Sequence, residues 1–244
     1  EKNTTKALKN SGNIMEPSTN KPDCKKIFDS IASKYDRTNT ILSLGMHHFW
    51  NRSLIQILGS GYSLLDLCAG TGKVAKRYIA AHPQASVTLV DFSSAMLDIA
   101  KQHLPQGSCS FIHSDINQLP LENHSYPLAA MAYGLRNLSD PHKALQEISR
   151  VLMPSGKLGI LELTPPKKTH PTYSAHKLYL RAVVPWIGKS VSKDPDAYSY
   201  LSKSIQQLPK DHDLEDLFSK SGFYIAKKKK LFLGAATIWL LEKQ

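Results

Sequence analysis

The chain has few cysteines and no long hydrophobic run. Its three cysteines, Cys24, Cys68 and Cys109, lie far apart without paired spacing, which argues against a disulfide framework and against a zinc site. No segment approaches the roughly 18 to 20 consecutive apolar residues that span a bilayer, and the polar start EKNTTKALKNSGN lacks the apolar core of a secretion signal. We therefore expect a metal-free cytoplasmic protein, soluble or peripheral at the inner face of the membrane.

Acidic residues are also scarce, with 20 Asp and Glu against 31 Lys and Arg and a formal net charge of +11. No carboxylate occurs between Thr164 and Lys193, and residues 227–230 form a further basic run. Such charge attracts nucleic acid, phospholipid headgroups or an acidic substrate, and a solvated basic face is the alternative. We expect no nucleic-acid partner, because no aromatic and basic platform of a known RNA-binding motif is present.

The length of 244 residues, with 41% hydrophobic side chains, is sufficient for one large core. Residues 1–22 are polar and predict a flexible lead-in, followed by a single domain over residues 23–244. Residues 23–58 carry apolar side chains at helical spacing with a break near Gly45, which predicts two helices before any strand. A second helical segment, an insert or lid, is expected over residues 165–210.

Short apolar runs alternate with helical stretches in the rest of the chain. The segments SLLDLC, SVTLVD, CSFIHSD, PLAAMAYG and KLGILEL are strand-like, and helices are predicted over residues 73–81, 94–104 and 141–152. Strands joined by helical crossovers form a mostly parallel sheet with helices on both faces. The last apolar segments, GFYIAKKKK and LFLGAATIWLLEK, predict a closing pair of strands.

A glycine-rich loop, in LLDLCAGTGKVA, follows the first strand. Gly70, Gly72 and Ala75 match the G-x-G-x-x-A spacing at a strand-to-helix turn, where missing side chains let a ligand approach the backbone. Asp91 ends the next strand about 20 residues further on, where a carboxylate can accept hydrogen bonds from ribose hydroxyls. The pattern favours a nucleoside ligand, and a tight turn with a helix cap at Asp91 is the alternative.

Two ligand classes suit this loop, a dinucleotide such as NAD and S-adenosylmethionine. Asp66, in the strand before the glycines, can meet an ammonium group but is unfavourable beside a pyrophosphate. Asp115, after the third strand, can accept from the exocyclic amine of adenine, and the backbone N–H of Ile116 can donate to a ring nitrogen. Both features favour S-adenosylmethionine, although Asp115 is also a plausible turn residue. An NAD-dependent oxidoreductase is one rival function, and an RNA-binding methyltransferase or non-catalytic RNA-binding module, which would explain the positive charge, is the other.

Four motifs in this order, LDLCAGTG, LVDFSSAML, HSDINQLPL and AYGLRNL, resemble the class I S-adenosylmethionine-dependent methyltransferases. They are most similar to the C-methyltransferases of menaquinone and ubiquinone biosynthesis, whose two signatures resemble residues 35–50 and 150–164. The likeness runs from about residue 28 to residue 241. It implies a Rossmann-like α/β fold with an antiparallel closing strand. The D/N-P-P-Y sequence typical of many amino-group methyltransferases is absent, which argues against methylation of nitrogen in DNA or protein.

The resemblance implies S-adenosylmethionine as methyl donor and a polyprenyl hydroquinol as substrate. A naphthoquinol of the menaquinone pathway is expected, and the 2-polyprenyl-6-methoxy-1,4-benzoquinol of the ubiquinone pathway is the alternative. The cofactor contacts carried over are Thr71, Asp91, Asp115 and Ile116, with Gly70, Gly72 and Asp66 as secondary candidates. A lipid substrate and the segment YSAHKLYLRAVVPWIGK predict peripheral contact with the membrane surface, and a lid over the pocket explains the same segment. The oligomeric state is open, a homodimer included.

Arg136 and Asn137 follow the fourth strand and are the candidate catalytic residues. A hydroquinol ring carbon becomes nucleophilic when a neighbouring hydroxyl is phenolate-like, and a phenol with a pKa near 10 needs help at neutral pH. Arg136 is a fixed cation that can stabilise this oxyanion, and Asn137 can orient the same oxygen or a water. Alternatively, Arg136 pairs with a core carboxylate and anchors the loop. Tyr35, Asp36 or His47 would receive the ring proton through water, although Tyr35 and His47 are equally typical of packing.

Overall fold

The computed structural model describes residues 24–165, 171, 173–187 and 195–244. The predicted lead-in lies outside the described residues, as does part of the predicted insert. The helices are α1 (Cys24–Leu42), α2 (Met46–Leu58), α3 (Lys73–Ala81), α4 (Ser94–His103), α5 (Pro141–Val151), α6 (Tyr173–Leu178), α7 (Val184–Ile187), α8 (Pro195–Gln207) and α9 (Asp211–Lys220). A π-helical segment (Tyr179–Val183) joins α6 to α7. The strands are β1 (Ser63–Leu67), β2 (Ser86–Asp91), β3 (Cys109–His113), β4 (Tyr126–Ala132), β5 (Leu152–Leu163), β6 (Phe223–Leu231) and β7 (Ala236–Lys243).

The described part of the chain forms one seven-stranded sheet in the order β3-β2-β1-β4-β5-β7-β6. Strands β1 to β5 pair in parallel, and β7 lies antiparallel between β5 and β6. The predicted mostly parallel sheet with an antiparallel closing strand is therefore confirmed. One segment differs from its prediction, because the apolar residues at the start of LFLGAATIWLLEK form a 3₁₀ turn, Phe232–Gly234, rather than strand.

The strand order reverses between β1 and β4, since the chain runs outward from β1 through β2 to β3 and then returns to β4 on the other side of β1. At such a reversal the loops after neighbouring strands diverge and leave a crevice at the carboxyl edge of the sheet. The glycine loop after β1, Asp91 at the end of β2 and Arg136 after β4 all lie at this edge. The fold thereby brings the predicted ligand residues to one place.

Two hydrophobic clusters cover the two faces of the sheet. Helices α2, α3 and α4 pack on one face, and α5 and α9 pack on the other. All five residues of β1 are buried, which explains why its sequence reads as an apolar run rather than an alternating pattern. Helix α5 begins as predicted, with Pro141 in its first turn and the Asp140 side chain accepting a hydrogen bond from the Lys143 N–H at 3.0 Å.

A third cluster joins α1 and α4 to α7, α8 and the π-helical segment. Its buried members include Ile31, Leu42, Met96, Leu180 and Val184. Because Met96 belongs to the helix that follows β2, this layer lies over the carboxyl edge of the sheet. Helices α6 to α8 fall inside the predicted insert, and the division of the chain into segments stays a prediction. None of the helices described is both long and apolar enough to cross a bilayer.

Candidate active site

The two glycines of the loop after β1 have different surroundings. Gly70 and Gly72 both have positive φ angles, 54° and 76°, a conformation that favours glycine. A Cβ added to Gly70 would meet no atom within 4 Å, whereas one added to Gly72 would lie 2.7 Å from a Leu104 side-chain carbon. Gly70 therefore leaves space where a ligand can approach the backbone, and Gly72 allows the loop to pack closely against α4.

Asp91 connects the glycine loop to the start of α4. Its Oδ2 accepts a hydrogen bond from the Gly70 N–H at 2.8 Å, and its Oδ1 accepts one from the Ser93 N–H at 2.9 Å. Burial raises the pKa of Asp91, and these backbone donors oppose the rise. The side-chain cap of α4 is Ser93, which accepts from the Met96 N–H, so Asp91 is not the cap. Each carboxylate oxygen retains a further acceptor site, which suits the ribose hydroxyls of a nucleoside.

Asp66 is almost completely buried inside β1. Its Oδ2 accepts a hydrogen bond from the Ala75 N–H at 3.0 Å and so holds the first turn of α3 against the strand. Burial raises the pKa of Asp66 well above its usual range, and the nearby charge of Asp91 raises it further. Such an environment disfavours the carboxylate form unless a cation is bound nearby.

A cavity of about 320 Å³ opens at the carboxyl edge of the sheet, beneath α1. Six of the predicted site residues are on its wall, namely Tyr35, Gly70, Asp91, Asp115, Ile116 and Asn137. Asp115 is also a turn residue, because its Oδ1 accepts from the backbone and side-chain nitrogens of Asn117, each at 2.9 Å. The cavity thus combines four of the seven predicted cofactor residues with two of the four predicted catalytic residues.

The remaining predicted residues are not among the described residues that line this cavity. They are Thr71, Gly72, Asp66, Arg136 and His47. The Thr71 hydroxyl donates to Asp36 Oδ1 at 2.7 Å, and Asp36 Oδ2 forms a 2.7 Å salt bridge with Lys73. Thr71 therefore contacts α1, and its hydroxyl proton is donated to Asp36 rather than to a cofactor.

Arg136 forms a buried ion pair with Glu162 of β5. Its Nη1 bonds to Glu162 Oε1, while its backbone N–H donates to Glu162 Oε2 at 3.1 Å. The two side chains are 5% and 0% exposed, and Nη1 also donates to the Tyr133 carbonyl at 2.8 Å. These are the contacts expected if Arg136 anchors the loop through a core carboxylate. Glu162 also compensates the positive charge of Arg136. The catalytic hypothesis needs that charge to stabilise an oxyanion of the substrate.

Both ends of the Asn137 amide are bound inside the protein. Its Nδ2 donates to the Tyr133 carbonyl at 3.1 Å, and its Oδ1 accepts from the Tyr200 hydroxyl at 3.0 Å. The Tyr200 hydroxyl is also 3.0 Å from Cys24 Sγ. Tyr200, on α8, was not predicted as a site residue, although it lies within residues 28–241, over which the family resemblance runs.

Tyr35 and His47 have different environments on the N-terminal helices. Tyr35 borders the cavity, and burial raises its pKa, so its hydroxyl is protonated at neutral pH and can donate. His47 Nδ1 lies 2.7 Å from Ser43 Oγ. Burial is the largest of the effects that lower the pKa of His47 to about 4, which makes it a weak base near pH 7. Of the two, only Tyr35 is placed to contact a bound substrate.

Solved structures show which fold this is. An S-adenosylmethionine-dependent methyltransferase from Thermotoga maritima matches with a TM-score of 0.64 at 18% identity, covering 90% of this chain and 99% of that one. Another from Aquifex aeolicus matches with a TM-score of 0.61 at 13% identity, covering 86% and 98%. The [4+2]-cyclase SpnF shares the architecture, with a TM-score of 0.59 at 15% identity, covering 90% and 94%. The fold is therefore Rossmann-like, as predicted, and it does not determine the reaction by itself.

Sequence relatives are more specific. A demethylmenaquinone methyltransferase of Chlamydia caviae is 58% identical over 229 residues, covering 94% of this chain and 100% of that protein. A protein of the same name from Chlamydia trachomatis serovar D is 52% identical, covering 92% of this chain and 98% of that protein. Another from Protochlamydia amoebophila is 41% identical, covering 90% of this chain and 94% of that protein. The protein is an S-adenosylmethionine-dependent methyltransferase. It belongs to the ubiE/COQ5 methyltransferase family, whose profile matches residues 15–243, and this confirms the resemblance noted in the sequence.

Proposed function

We propose that the protein transfers a methyl group to a ring carbon of demethylmenaquinol in menaquinone biosynthesis. The names of its relatives support this substrate. The observation that carries the proposal is that one cavity is lined both by Gly70, Asp91 and Asp115 and by Tyr35 and Asn137. A nucleoside-binding set and a polar set facing a second molecule are what transfer from S-adenosylmethionine to a quinol requires.

The cavity residues suit the methyl donor. S-adenosylmethionine, when bound, supplies an electrophilic methyl group. Asp91 would hold the ribose through its remaining acceptor sites, and Asp115 with the Ile116 N–H would hold adenine. Gly70 leaves its backbone open to the ligand. Asp66 supports the site by ordering the start of α3, and a ligand ammonium nearby would favour its charged form.

The activation of the quinol rests on the loop after β4. Arg136 keeps its positive charge because it is paired, and its pairing with Glu162 fixes it beside Asn137. Arg136 is not on the cavity wall, so we assign to it the stabilisation of the quinol oxyanion by its charge rather than by a direct hydrogen bond, weakened but not cancelled by Glu162. Tyr35, which stays protonated, would donate a hydrogen bond to an oxygen of the quinol ring. The ring carbon gains the methyl group and loses its proton to water.

The direct test incubates the purified enzyme with S-adenosylmethionine and demethylmenaquinol under reducing conditions. Mass spectrometry should show one added ring methyl on the quinol and none on the oxidised quinone, whose ring carbon is electron-poor. Methylation of the 2-polyprenyl-6-methoxy-1,4-benzoquinol alone would move the assignment to the ubiquinone pathway. Calorimetric titration with NAD, giving heat where S-adenosylmethionine gives none, would favour an oxidoreductase.

The role of Arg136 has its own test. Arg136→Ala should lower turnover about tenfold or more, because the oxyanion loses the field of a positive charge, while the affinity for S-adenosylmethionine stays within a few-fold. Arg52→Ala, which removes an exposed arginine of α2, is the matched control and should retain activity. A folded Arg136→Ala enzyme with normal turnover would leave Arg136 as an anchor of the loop only.

A further inference from the structure

Most of the large apolar side chains that are exposed on the described part of the chain lie on one side of the molecule. Eight such residues are more than two-fifths exposed, and six of them belong to segments at the carboxyl edge of the sheet. These six, which we call the apolar rim, are Leu44, Phe49, Leu178, Trp186, Phe232 and Leu233. The other two, Tyr62 and Tyr224, stand at the opposite edge, just before β1 and at the start of β6. The uneven distribution marks the cavity side of the enzyme.

Hydrogen bonds and packing hold the three segments of the rim at this edge. The Tyr179 hydroxyl of the π-helical segment donates to the carbonyl of Leu42, where α1 ends before the turn that carries Leu44. The Thr164 hydroxyl, directly after β5, donates to the Gly234 carbonyl at 2.6 Å. Thr164 thereby ties the turn between β6 and β7 to the carboxyl end of the parallel strands.

Backbone conformation gives a second, independent sign. Leu44, Phe232 and Leu233 have positive φ angles of 49°, 42° and 55°, a conformation that is costly for side chains of this kind. Glycine or asparagine at these turns would relieve that cost. Their apolar side chains point to solvent and add little to the core. Strained turns that display Leu and Phe outward indicate a binding surface rather than a requirement of folding.

The charge next to the rim is positive. Arg181 is exposed and lies in sequence between Leu178 and Trp186, and Lys177 precedes them with its ammonium 5.4 Å from the ring of Tyr173. The sequence from Thr164 to Lys193 contains no carboxylate. Apolar and aromatic side chains beside cations match the boundary between acyl chains and anionic headgroups.

We propose that the apolar rim docks the enzyme on an anionic lipid bilayer, with the cavity facing the membrane. The inference rests on the proposed function, because a polyprenyl quinol resides in that bilayer. The rim side chains enter the boundary between headgroups and acyl chains, and Lys177 and Arg181 contact lipid phosphates. A second copy of the chain or a protein partner would use apolar contacts without needing the adjoining positive charge.

Trp186 makes the proposal measurable on the intact protein. It is 67% exposed, whereas the other two tryptophans, Trp50 and Trp239, are 5% and 0% exposed. Vesicles of phosphatidylglycerol and phosphatidylcholine with brominated acyl chains should quench tryptophan emission, and Trp186→Phe should abolish the quenching. Vesicles of phosphatidylcholine alone should reduce the quenching, because they present no anionic headgroups. High salt should also reduce the quenching, because it screens the attraction between the enzyme and the headgroups.

Variants of the rim separate docking from catalysis. The double variant Phe232→Ser and Leu233→Ser should weaken vesicle binding about tenfold or more, given the transfer free energy of two large apolar side chains. Tyr62→Ser, on the opposite edge, is the control and should bind as the unmodified enzyme does. On demethylmenaquinol delivered in vesicles the rim variant should lose activity. With a short-chain analogue in buffer it should match the unmodified enzyme.

Four outcomes overturn the docking proposal. The first is that brominated lipid does not quench the tryptophan emission, and the second is that the rim variant binds vesicles as well as the unmodified enzyme does. The third is equal quenching with neutral and anionic vesicles at low salt. The fourth is that the unmodified enzyme is a dimer and the rim variant is a monomer. Failure of the unmodified enzyme to methylate even the short-chain analogue contradicts the proposed function instead. The fluorescence result is read without any turnover, so the two failures are distinguishable.

Discussion

The buried carboxylate of Glu162 holds both the side chain and the backbone N–H of Arg136. It also accepts a hydrogen bond from the Leu163 N–H at 2.7 Å. Glu162 therefore fixes the loop after β4 against the end of β5, and it balances a guanidinium that is only 5% exposed. Without such a partner, the guanidinium of Arg136 would be an uncompensated charge in the protein interior, which is energetically costly.

Glu162→Gln should destabilise the protein by about 3 kcal/mol or more, because breaking a buried pair leaves an uncompensated charge. Urea unfolding followed by circular dichroism measures the change. Asp98→Asn, which removes the exposed pair of Asp98 with Lys101, is the control and should cost under about 1 kcal/mol. Similar values for the two variants would show that the Arg136 pair adds no more than a surface contact.

The contact of Thr71 with Asp36 leads to a second prediction. If Thr71 acts by tying α1 to the glycine loop, Thr71→Val and Asp36→Ala should each weaken binding of S-adenosylmethionine several-fold. The double variant should then be no weaker than Asp36→Ala alone, since a hydrogen bond is removed only once. Calorimetric titration of the three variants measures the coupling. Additive losses would instead assign Thr71 a direct contact with the methyl donor.

Local patterns predicted the fold well because each strand and helix has its own periodicity. The apolar run of β1, the cap at Asp140 and the glycine loop were all visible within a few residues of sequence. The turn at Phe232–Gly234 was wrongly predicted as strand, since apolar side chains usually indicate burial. Here they are exposed, and the sequence pattern alone does not distinguish the two cases.

The contacts of the site could not be predicted in this way. Arg136 and Glu162 are 26 positions apart, Asp36 and Thr71 are 35 apart, and Asn137 and Tyr200 are 63 apart. Periodicity assigns a residue to a face or an edge, whereas its partner depends on how distant elements pack. The sequence therefore placed Arg136 at the correct edge of the sheet and left its carboxylate partner unnamed.

Asp66 gives a pH-dependent prediction. Its pKa in the folded protein lies well above its ordinary value near 3.8, so the folded state binds a proton that the unfolded state has released. The unmodified protein should lose stability relative to Asp66→Asn as the pH rises from about 4 towards the raised pKa, after which the difference is constant. Asparagine retains the oxygen that accepts from the Ala75 N–H, so this bond is not lost.

Thermal unfolding of the two proteins between pH 4 and pH 8 measures that difference. The Asp66→Asn variant should have the higher midpoint at pH 8 and nearly the same midpoint at pH 4. A difference in midpoint that stays the same from pH 4 to pH 8 would show that the pKa of Asp66 is not raised in the folded protein. S-adenosylmethionine should narrow the difference at pH 8 if its ammonium group stabilises the Asp66 carboxylate.

Tyr200 is predicted to position Asn137 rather than to contact the methyl donor. Its hydroxyl fixes which end of the Asn137 amide faces α8, because Oδ1 accepts from Tyr200 while Nδ2 donates to the Tyr133 carbonyl. Tyr200→Phe removes one hydrogen bond, typically about 0.5–1.5 kcal/mol, so kcat should fall about 2- to 10-fold. The KM for S-adenosylmethionine should stay unchanged.

The control variant, Tyr179→Phe, removes a different hydrogen bond of the same helical layer, from the Tyr179 hydroxyl to the Leu42 carbonyl, and leaves the hydrogen bonds of Asn137 in place. If both variants lower kcat equally, the helical layer as a whole sets the rate, and the specific role of Tyr200 is refuted.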